Sequence, residues 1–309
     1  MTEPRDPPDS DELAELLAEV RRIDVQSSRL VNTVLAGGYT SVFRGSGLEF
    51  DHVREYVEGD DPRSVDWNVT ARVGRPFVKT YHDERELTVV FALDLSASME
   101  GGYGPWSARQ IAARICAVLA LAAIRNDDKV GFLAFSDRVD AWIPPKKGAG
   151  HALRIIRDCL ALPGSGRGSD LVPPLQLVSR VLHRRAVVFL VSDFLATGWA
   201  RALRPCARRH EVIAVRLLAP ELEPDAAAGL VRIRDPETGR ACLVDWSSRR
   251  VREAYAERVA AWRQRTEDEL ARDGVDRMDV PIPRVRIKDP VARPILKFFR
   301  MRKARGAKR

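Results

Sequence analysis

The chain of 309 residues lacks the features that mark several protein classes. No uncharged apolar run approaches the roughly 18 residues of a transmembrane helix, and the first residues lack the basic and apolar regions of a signal peptide. The few cysteines show no CxxC spacing, which argues against a zinc or disulfide framework: Cys116, Cys159, Cys206 and Cys242. These absences predict a globular, cytoplasmic protein in which the cysteines are core thiols.

Motifs for catalysis are also missing. There is no Gly-x-Ser-x-Gly elbow of a serine hydrolase, and the glycine-rich stretch 164–168 matches neither a dinucleotide-binding loop nor a Walker A motif. The histidines are scattered without HExxH spacing: His52, His82, His151, His183 and His210. Asp94 follows an apolar run, but an aspartyl phosphatase would need a second aspartate at position 96, which is a serine. No catalytic base stands out.

The formal net charge of +8 is concentrated at one end of the chain. Residues 291–309 hold eight basic residues and no acidic one, so the remainder of the chain is formally neutral. This distribution argues against a nucleic-acid-binding domain, which has a basic surface over its body. The tail could contact an acidic membrane, but a solvated chain end is the commoner use of such a segment.

From residue 87 onward, apolar runs alternate with helical patterns. Strands are predicted at 87–93, 129–135, 186–191 and 211–218, and helices at 108–125, 149–162, 171–182 and 199–207. The strands are continuously apolar, as burial on both faces requires. The pattern predicts an α/β fold over 87–220, with a doubly wound, mostly parallel sheet covered by helices on both faces. Residues 138–143 are expected to add an antiparallel edge strand that ends at Pro144-Pro145.

Other segments flank this predicted domain. Residues 1–38 are predicted to be a disordered start followed by helix over 12–35, and residues 39–86 are a polar, glycine-punctuated segment expected to pack on the core. Residues 221–300 are predicted to continue the same unit with a hairpin at 230–233 and 241–244 and helices at 248–272 and 290–301. Residues 301–309 form the basic tail.

Oxygen-bearing side chains follow two of the predicted strands. Asp94, Ser96 and Ser98 follow the run 87–93, and alternation along an extended segment would point all three the same way. One carboxylate with two hydroxyls suits a hard divalent cation such as Mg²⁺ or Mn²⁺. Asp193 follows the strand 186–191, and in a doubly wound sheet such strand ends face a common crevice.

The loop 164–170 completes the predicted site, because its glycines allow the Ser169 hydroxyl to approach the ion. We call Asp94, Ser96, Ser98, Ser169 and Asp193 the strand-end cluster. Two carboxylates and three hydroxyls leave a divalent cation short of strong direct anionic ligands, so it is expected to seek a carboxylate from outside. A serine-rich turn with helix-capping aspartates is the structural alternative.

In order and strand context, these residues resemble the metal-ion-dependent adhesion site of von Willebrand factor type A domains. The resemblance implies that the serine hydroxyls ligate the ion and that the two aspartates act mainly through water. Ca²⁺ is a further candidate beside Mg²⁺ and Mn²⁺. The family has a threonine where this chain has Ser169, which keeps the hydroxyl and loses a methyl group that restricts its rotamer. A looser loop and weaker metal affinity are therefore expected.

The segment 39–86 carries a second resemblance. Its core, Gly59-Asp60-Asp61-x-Arg63-x-x-Asp66-Trp67, together with Arg54-Glu55-Tyr56 and Ala71-Arg72, is similar to the signature of the domain of unknown function 58 family. We call residues 39–86 the signature segment. Its candidate partner-binding residues are Arg54, Asp60, Asp61, Arg63, Asp66, Trp67 and Arg72. Two interpretations stay open: a salt-bridged structural clamp anchored by Trp67, or a docking surface beside the ion.

Members of that family are associated with MoxR-type AAA+ ATPases. The resemblance therefore implies a non-enzymatic, metal-dependent interaction module, which acts as an adaptor or presents a client to such a motor for assembly or remodelling. The partner is expected to offer an acidic side chain. The alternative is a metal-assisted hydrolase of phosphoesters that uses the same ion, although the acid and base groups for such a reaction are missing.

Overall fold

A computed structural model describes residues 18, 31, 49–82, 86–101, 104–164, 166, 168–223 and 228–306. The predicted disordered start, most of the predicted N-terminal helix and residues 307–309 of the basic tail lie outside these described residues. Two compact units divide the chain, with residues Phe43–Glu86 in the smaller unit and the remaining residues in the larger. Among the described residues, no helix is both long and apolar enough to cross a membrane.

The strands are β1 Glu49–Glu55, β2 Phe77–His82, β3 Thr88–Asp94, β4 Lys129–Phe135, β5 Val139–Lys146, β6 Val187–Ser192, β7 Glu211–Leu218, β8 Leu230–Arg234, β9 Ala241–Asp245 and β10 Asp276–Pro281. The α-helices are α1 Trp67–Val73, α2 Ala97–Glu100, α3 Ala108–Arg125, α4 Ala149–Ala161, α5 Val172–Val181, α6 Ala200–Arg209, α7 Arg249–Arg272 and α8 Ala292–Gly306. Short 3₁₀ turns lie at Pro62–Ser64 and Pro220–Leu222.

The larger unit is built on a sheet of six strands in the order β10-β7-β6-β3-β4-β5. All neighbouring pairs are parallel except β4 with β5. The central strands β3 and β6 are buried along almost their whole length, because each is apolar on both faces. The predicted fold class, a doubly wound and mostly parallel α/β sheet, is confirmed.

The edge strand β5 forms where the sequence predicted it but is longer. It continues through Pro144-Pro145 to Lys146, so the prediction that the prolines end it is wrong. Proline is tolerated at bulges of an edge strand, and the pairing of β5 with β4 shifts register over Pro144-Pro145. Pro145 also packs closely on Gly131 of β4, where a Cβ would lie 2.9 Å from the proline Cγ.

Strand β10 was missed by the sequence prediction. It pairs in parallel with β7, from Asp276 opposite Ile213 to Pro281 opposite Leu218. Its charged residues are accommodated because Arg216 of β7, which is buried, donates to both carboxylate oxygens of Asp279 at 2.8 and 3.0 Å. Arg216 also donates to Glu267 of α7 at 3.1 Å, so one guanidinium joins three elements.

The last helix, α8, is longer than predicted and includes the beginning of the basic tail. Phe298 and Phe299 are buried, and Arg305 pairs with Asp276 of β10 at 2.8 Å. Arg302 pairs with the same aspartate at 3.2 Å and with Glu211 of β7. Residues 301–306 therefore pack on the sheet as part of a helix.

Strands β8 and β9 form a separate two-stranded hairpin, as predicted. The backbone N–H of Trp246 donates to the Gly229 carbonyl and closes the base of the hairpin. The base contacts α7 where the Trp246 ring meets Tyr255 edge to face at 5.1 Å, and Tyr255 donates to the carbonyl of Glu221. Cys242 on β9 is exposed, so the prediction of a core thiol is wrong for this cysteine. Cys116, Cys159 and Cys206 are buried as predicted.

Candidate functional site

The two predicted aspartates lie at the carboxyl ends of neighbouring strands. Asp94 is the last residue of β3 and Asp193 directly follows β6, which pairs in parallel with β3. Parallel strands present their carboxyl ends at the same edge of a sheet, so both carboxylates reach one place. Both are buried, with 0% of Asp94 and 8% of Asp193 exposed.

The serines after Asp94 reach the site by a turn and not by extended alternation. Ser96 is the residue before α2, and Ser98 lies within this one-turn helix, so the predicted extended geometry is wrong. The two hydroxyl oxygens nevertheless lie 3.1 Å apart. The Ser96 hydroxyl makes no helix-capping bond, while the Ser96 backbone N–H donates to Asp94 at 2.9 Å. The turn that carries both hydroxyls is therefore held to Asp94 by this backbone hydrogen bond.

The loop before α5 brings in the third predicted hydroxyl. Ser169 Oγ donates to Asp94 Oδ2 at 2.6 Å. The loop approaches the β3 end closely, because a Cβ on Gly164 would lie only 2.2 Å from the Leu95 carbonyl oxygen. Ser136 fixes the loop from β4: its hydroxyl accepts from the Gly166 N–H at 3.0 Å and its carbonyl accepts from the Asp170 N–H at 2.9 Å.

A fourth serine, which the sequence prediction passed over, also contacts Asp94. Ser192 Oγ donates to Asp94 Oδ2 at 2.7 Å and accepts from the Phe194 N–H at 3.1 Å. Phe194 adopts a left-handed backbone with φ of 59°, which is uncommon for a residue with a side chain. Edge-to-face packing on Trp199 at 5.6 Å holds it there. The sequence feature that could have identified Ser192 is its position directly after the apolar run of β6.

Burial and like charge shape the electrostatics of the site. Burial raises the pKa of Asp94, although hydrogen bonds from Ser169, Ser96 and Ser192 oppose that rise. Burial and then the negative charge of Asp94 raise the pKa of Asp193 to about 6, against hydrogen bonds from the Leu195 N–H and the Ser98 hydroxyl. The site therefore holds two carboxylates that repel one another in a poorly solvated place.

These donors fit a hard divalent cation. All are oxygens, from carboxylates and hydroxyls, which is the donor set of Mg²⁺ and Mn²⁺ sites. Within the described ranges, no three His, Cys, Asp or Glu side chains are placed to hold a metal by themselves, so an ion here depends on the serine hydroxyls and water. A cation would also offset the repulsion between Asp94 and Asp193.

A third carboxylate, absent from the sequence prediction, lies near the loop that carries Ser169. Glu237 at the turn of the β8–β9 hairpin is half-buried, and its Oε2 lies 3.9 Å from the position that a Cβ on Gly168 would occupy. Burial, and then the charges of Asp193 and Asp94, raise the pKa of Glu237. Nothing in the local sequence marks this residue, because only the path of the hairpin brings it to that loop.

The residues predicted for partner binding lie in the smaller unit. Arg54 forms a bidentate ion pair with Asp60, with both N–O distances 2.7 Å. Asp66 caps α1 by accepting from the N–H of Asn68. Asp61 accepts from the Arg63 N–H at 2.9 Å. Arg63 and Arg72 are exposed. Trp67 is 72% exposed.

The sequence of this chain is similar to those of known proteins. The sequence profile of a family described as "Protein of unknown function DUF58" matches residues 52–266. Uncharacterized proteins of Mycobacterium bovis and Mycobacterium tuberculosis are each 30% identical over 227 residues, which is 72% of this chain and 72% of theirs.

Two of the solved structures that match this chain have low sequence identity to it. The conserved hypothetical protein BatB from Bacteroides thetaiotaomicron is 18% identical with a TM-score of 0.45, over 72% of this chain and 100% of that one. The SpRpn10 VWA domain is 10% identical with a TM-score of 0.38, over 68% of this chain and 94% of that one.

Proposed function

The chain belongs to the DUF58 family, and on that premise we propose that it is a protein-interaction module whose strand-end cluster binds a divalent cation and captures an acidic side chain of a partner. The observation that carries the proposal is the convergence of two buried carboxylates, Asp94 and Asp193, with three serine hydroxyls at one sheet edge. A buried pair of like charges is costly unless something compensates it.

Each part of the cluster has a distinct task in this proposal. Ser96, Ser98 and Ser169 supply hydroxyl oxygens, and Asp94 and Asp193 supply the negative charge. Mg²⁺ or Mn²⁺, bound there, would offer an open coordination position to an outside carboxylate. The groups that contact the two aspartates are serine hydroxyls and backbone amides, which suits binding more than acid–base chemistry.

For the partner we propose a MoxR-type AAA+ ATPase, or the client that such an ATPase remodels. Family membership supports this partner, and the exposed side chains of the signature segment offer a docking surface for it. The chain would then act as an adaptor, with the ion sensing an acidic side chain and the signature segment adding contact area.

Isothermal titration with Mn²⁺ tests the first half of the proposal. We expect Asp94→Asn to weaken binding by more than about 10-fold, since the hydroxyls of Ser169 and Ser192 would lose the charge around which they are arranged. Asp268→Asn is the matched control, because this exposed residue of α7 loses the same charge away from the site. Equal Mn²⁺ affinity in both variants and the wild type would contradict the proposal.

Capture of a purified MoxR-type ATPase tests the proposed partner. We expect retention by the wild type in Mn²⁺, and loss of retention with a chelator or with Asp94→Asn. Retention that is insensitive to the metal would contradict metal-dependent capture. Turnover of a generic phosphoester that requires both Mn²⁺ and Asp94 would instead favour the metal-assisted hydrolase.

A further inference from the structure

Exposed arginines are concentrated in one stretch of the larger unit. Residues 172–210 contain seven arginines, no lysine and a single acidic residue, Asp193, which is buried directly after β6. All seven arginines are exposed: Arg180, Arg184, Arg185, Arg201, Arg204, Arg208 and Arg209. Together with the exposed Arg272 at the end of α7, we call them the arginine surface.

Contacts between elements bring these arginines together. Arg209 of α6 donates to the carbonyl of Ser179 in α5 at 2.6 Å, and Arg204 of α6 pairs with Asp273 after α7 at 2.9 Å. Strands β6 and β7 pair in parallel, so residues 184–185, just before β6, lie beside the end of α6. The arginines of α5, α6 and α7 therefore share one side of the sheet.

Three of them face a common depression. Arg204, Arg208 and Arg272 line it together with Asp273, and its volume is about 300 Å³. Asp273 pairs with Arg204, whereas neither Arg208 nor Arg272 has a carboxylate partner within the described ranges. An anion placed in this depression would therefore meet two guanidinium groups that have no counter-charge among the described residues.

Helix α6 gains nothing from its own arginines at the beginning of the helix. Arg201, Arg204 and Arg208 lie three and four residues apart, so they form one stripe along α6. Like charges at this spacing destabilise a helix, and Arg201 lies in the first turn, where the helix dipole also disfavours a cation. An anionic segment along the stripe would offset both effects.

A segment of opposite charge belongs to the same chain. Residues 1–17 contain one basic residue, Arg5, and six acidic residues: Glu3, Asp6, Asp9, Asp11, Glu12 and Glu15. Val31, which follows this segment, is fully buried and belongs to the larger unit, which also carries the arginine surface. Seventeen residues span up to about 60 Å when extended, which is enough to cross a unit of this size.

We infer that residues 1–17 dock on the arginine surface of their own chain, with their carboxylates paired to arginines that include Arg208 and Arg272. This inference goes beyond the proposed function and does not depend on the ion. Because the segment and the surface belong to one chain, the effective concentration of the segment is in the millimolar range or above. An acidic segment of another protein must displace residues 1–17 before it binds there.

Modification of the full chain by phenylglyoxal, which reacts with accessible guanidinium groups, tests the inference when each site is quantified by mass spectrometry. In dilute salt we expect Arg208 and Arg272 to react several-fold more slowly in the wild type than in a variant whose six acidic residues in 1–17 are changed to Gln or Asn. Salt at about 1 M, where the Debye length is about 3 Å, should remove the difference. The exposed Arg250 of α7 is the internal control and should react equally in both proteins.

A second variant, Thr2→Ala with Ser10→Ala, changes the same segment and keeps its charge, so it should retain the protection. Equal rates at Arg208 and Arg272 in the wild type and the neutralised variant would overturn the inference, because the surface would then be open to other acidic partners. Protection that increases with protein concentration would also overturn it, since the segment would then come from a second copy of the chain.

Discussion

At the scale of single residues, the two buried aspartates make stability depend on a divalent cation. A ligand that binds only the folded state adds about 2.7 kcal/mol to the free energy of unfolding at 100 times its Kd. We expect Mn²⁺ to raise the Tm of the wild type and to leave Asp193→Asn unchanged. In chelator, Asp193→Asn should be at least as stable as the wild type, because it relieves the repulsion from Asp94.

Thermal unfolding with and without Mn²⁺ measures this effect, and Asp268→Asn should respond as the wild type does. A wild-type Tm that is the same in Mn²⁺ and in chelator would contradict the prediction, as would an equal gain in Asp193→Asn.

His210, at the end of α6, is another buried titratable residue. Both of its ring nitrogens are buried, and neither has a hydrogen-bond partner among the described residues. Burial, then the positive charges of Arg209 and Arg185, lower the pKa of His210. The folded state therefore favours the neutral ring, and its contribution to stability is present above the unfolded pKa of about 6.5 and is lost as the pH falls from there toward the lowered folded pKa.

Urea unfolding at several pH values checks this expectation. From about pH 7.5 to about pH 5.5, His210→Leu should lose less stability than the wild type, because one proton-uptake site of the unfolded chain is gone. The exposed His183, changed to Gln, serves as the comparison. Parallel pH dependence in wild type and His210→Leu would show that His210 has no part in acid destabilisation.

At the scale of elements, the loop 162–171 depends on a glycine. In Gly164→Ala the new Cβ would meet the Leu95 carbonyl at 2.2 Å, so the loop must shift and carry Ser169 away from Asp94. We expect a stability loss of about 1–3 kcal/mol and weaker Mn²⁺ binding. Gly150→Ala in α4, with open space around its Cβ, should instead gain up to about 1 kcal/mol and keep its Mn²⁺ affinity.

Chemical unfolding and Mn²⁺ titration of the two variants distinguish this mechanism from a general effect of alanine. Wild-type stability together with wild-type Mn²⁺ affinity in Gly164→Ala would mean that the close approach to Leu95 does not position Ser169.

The pairing of β10 with β7 depends on Arg216. Arg216→Met leaves Asp279 and Glu267 with fewer donors around a buried position, and we expect a loss of about 2–3 kcal/mol. Arg277 still pairs with both carboxylates, which limits the cost. Arg249→Met, which breaks a pair with Glu253 in which both side chains are exposed, should cost less than about 1 kcal/mol. Equal losses in the two variants, measured by urea unfolding, would contradict the role of Arg216.

Elements with a strong local pattern were predictable, and those stabilised by distant partners were not. The helix 108–125 was predicted to the residue from its apolar pattern, and the structure shows a capping box of Ser107 and Gln110 at its start. Strand β10 alternates charged and apolar residues, and its charges are compensated by Arg216 from another strand. The sequence does not show that pairing, so the strand had no visible signal.

The same distinction applies to the strand-end cluster. Asp94 and Asp193 could be placed because each ends an apolar run, and the rule for parallel sheets brings such ends together. Glu237 could not be placed, because its position follows from the path of a hairpin that the main sheet does not include.

At the scale of the whole molecule, the larger unit contains the strand-end cluster and the smaller unit contains the exposed Trp67. We expect Trp67→Ala to reduce capture of the ATPase several-fold while the Tm and the Mn²⁺ affinity stay unchanged, because an exposed side chain contributes little to folding. Val285→Ala, at another exposed apolar position, is the control. Undiminished capture by Trp67→Ala in a quantitative binding assay would remove Trp67 from the docking surface.

The prolines of β5 limit how this protein can meet another chain. Many partners bind by β-augmentation, in which a strand of the partner joins the rim of a sheet through main-chain hydrogen bonds. On the β5 rim, Pro144 and Pro145 have no N–H to offer such a strand, and β10 at the opposite rim ends in Pro281. The six-stranded sheet is therefore poorly suited to extension at the β5 rim, which also protects it against edge-to-edge aggregation.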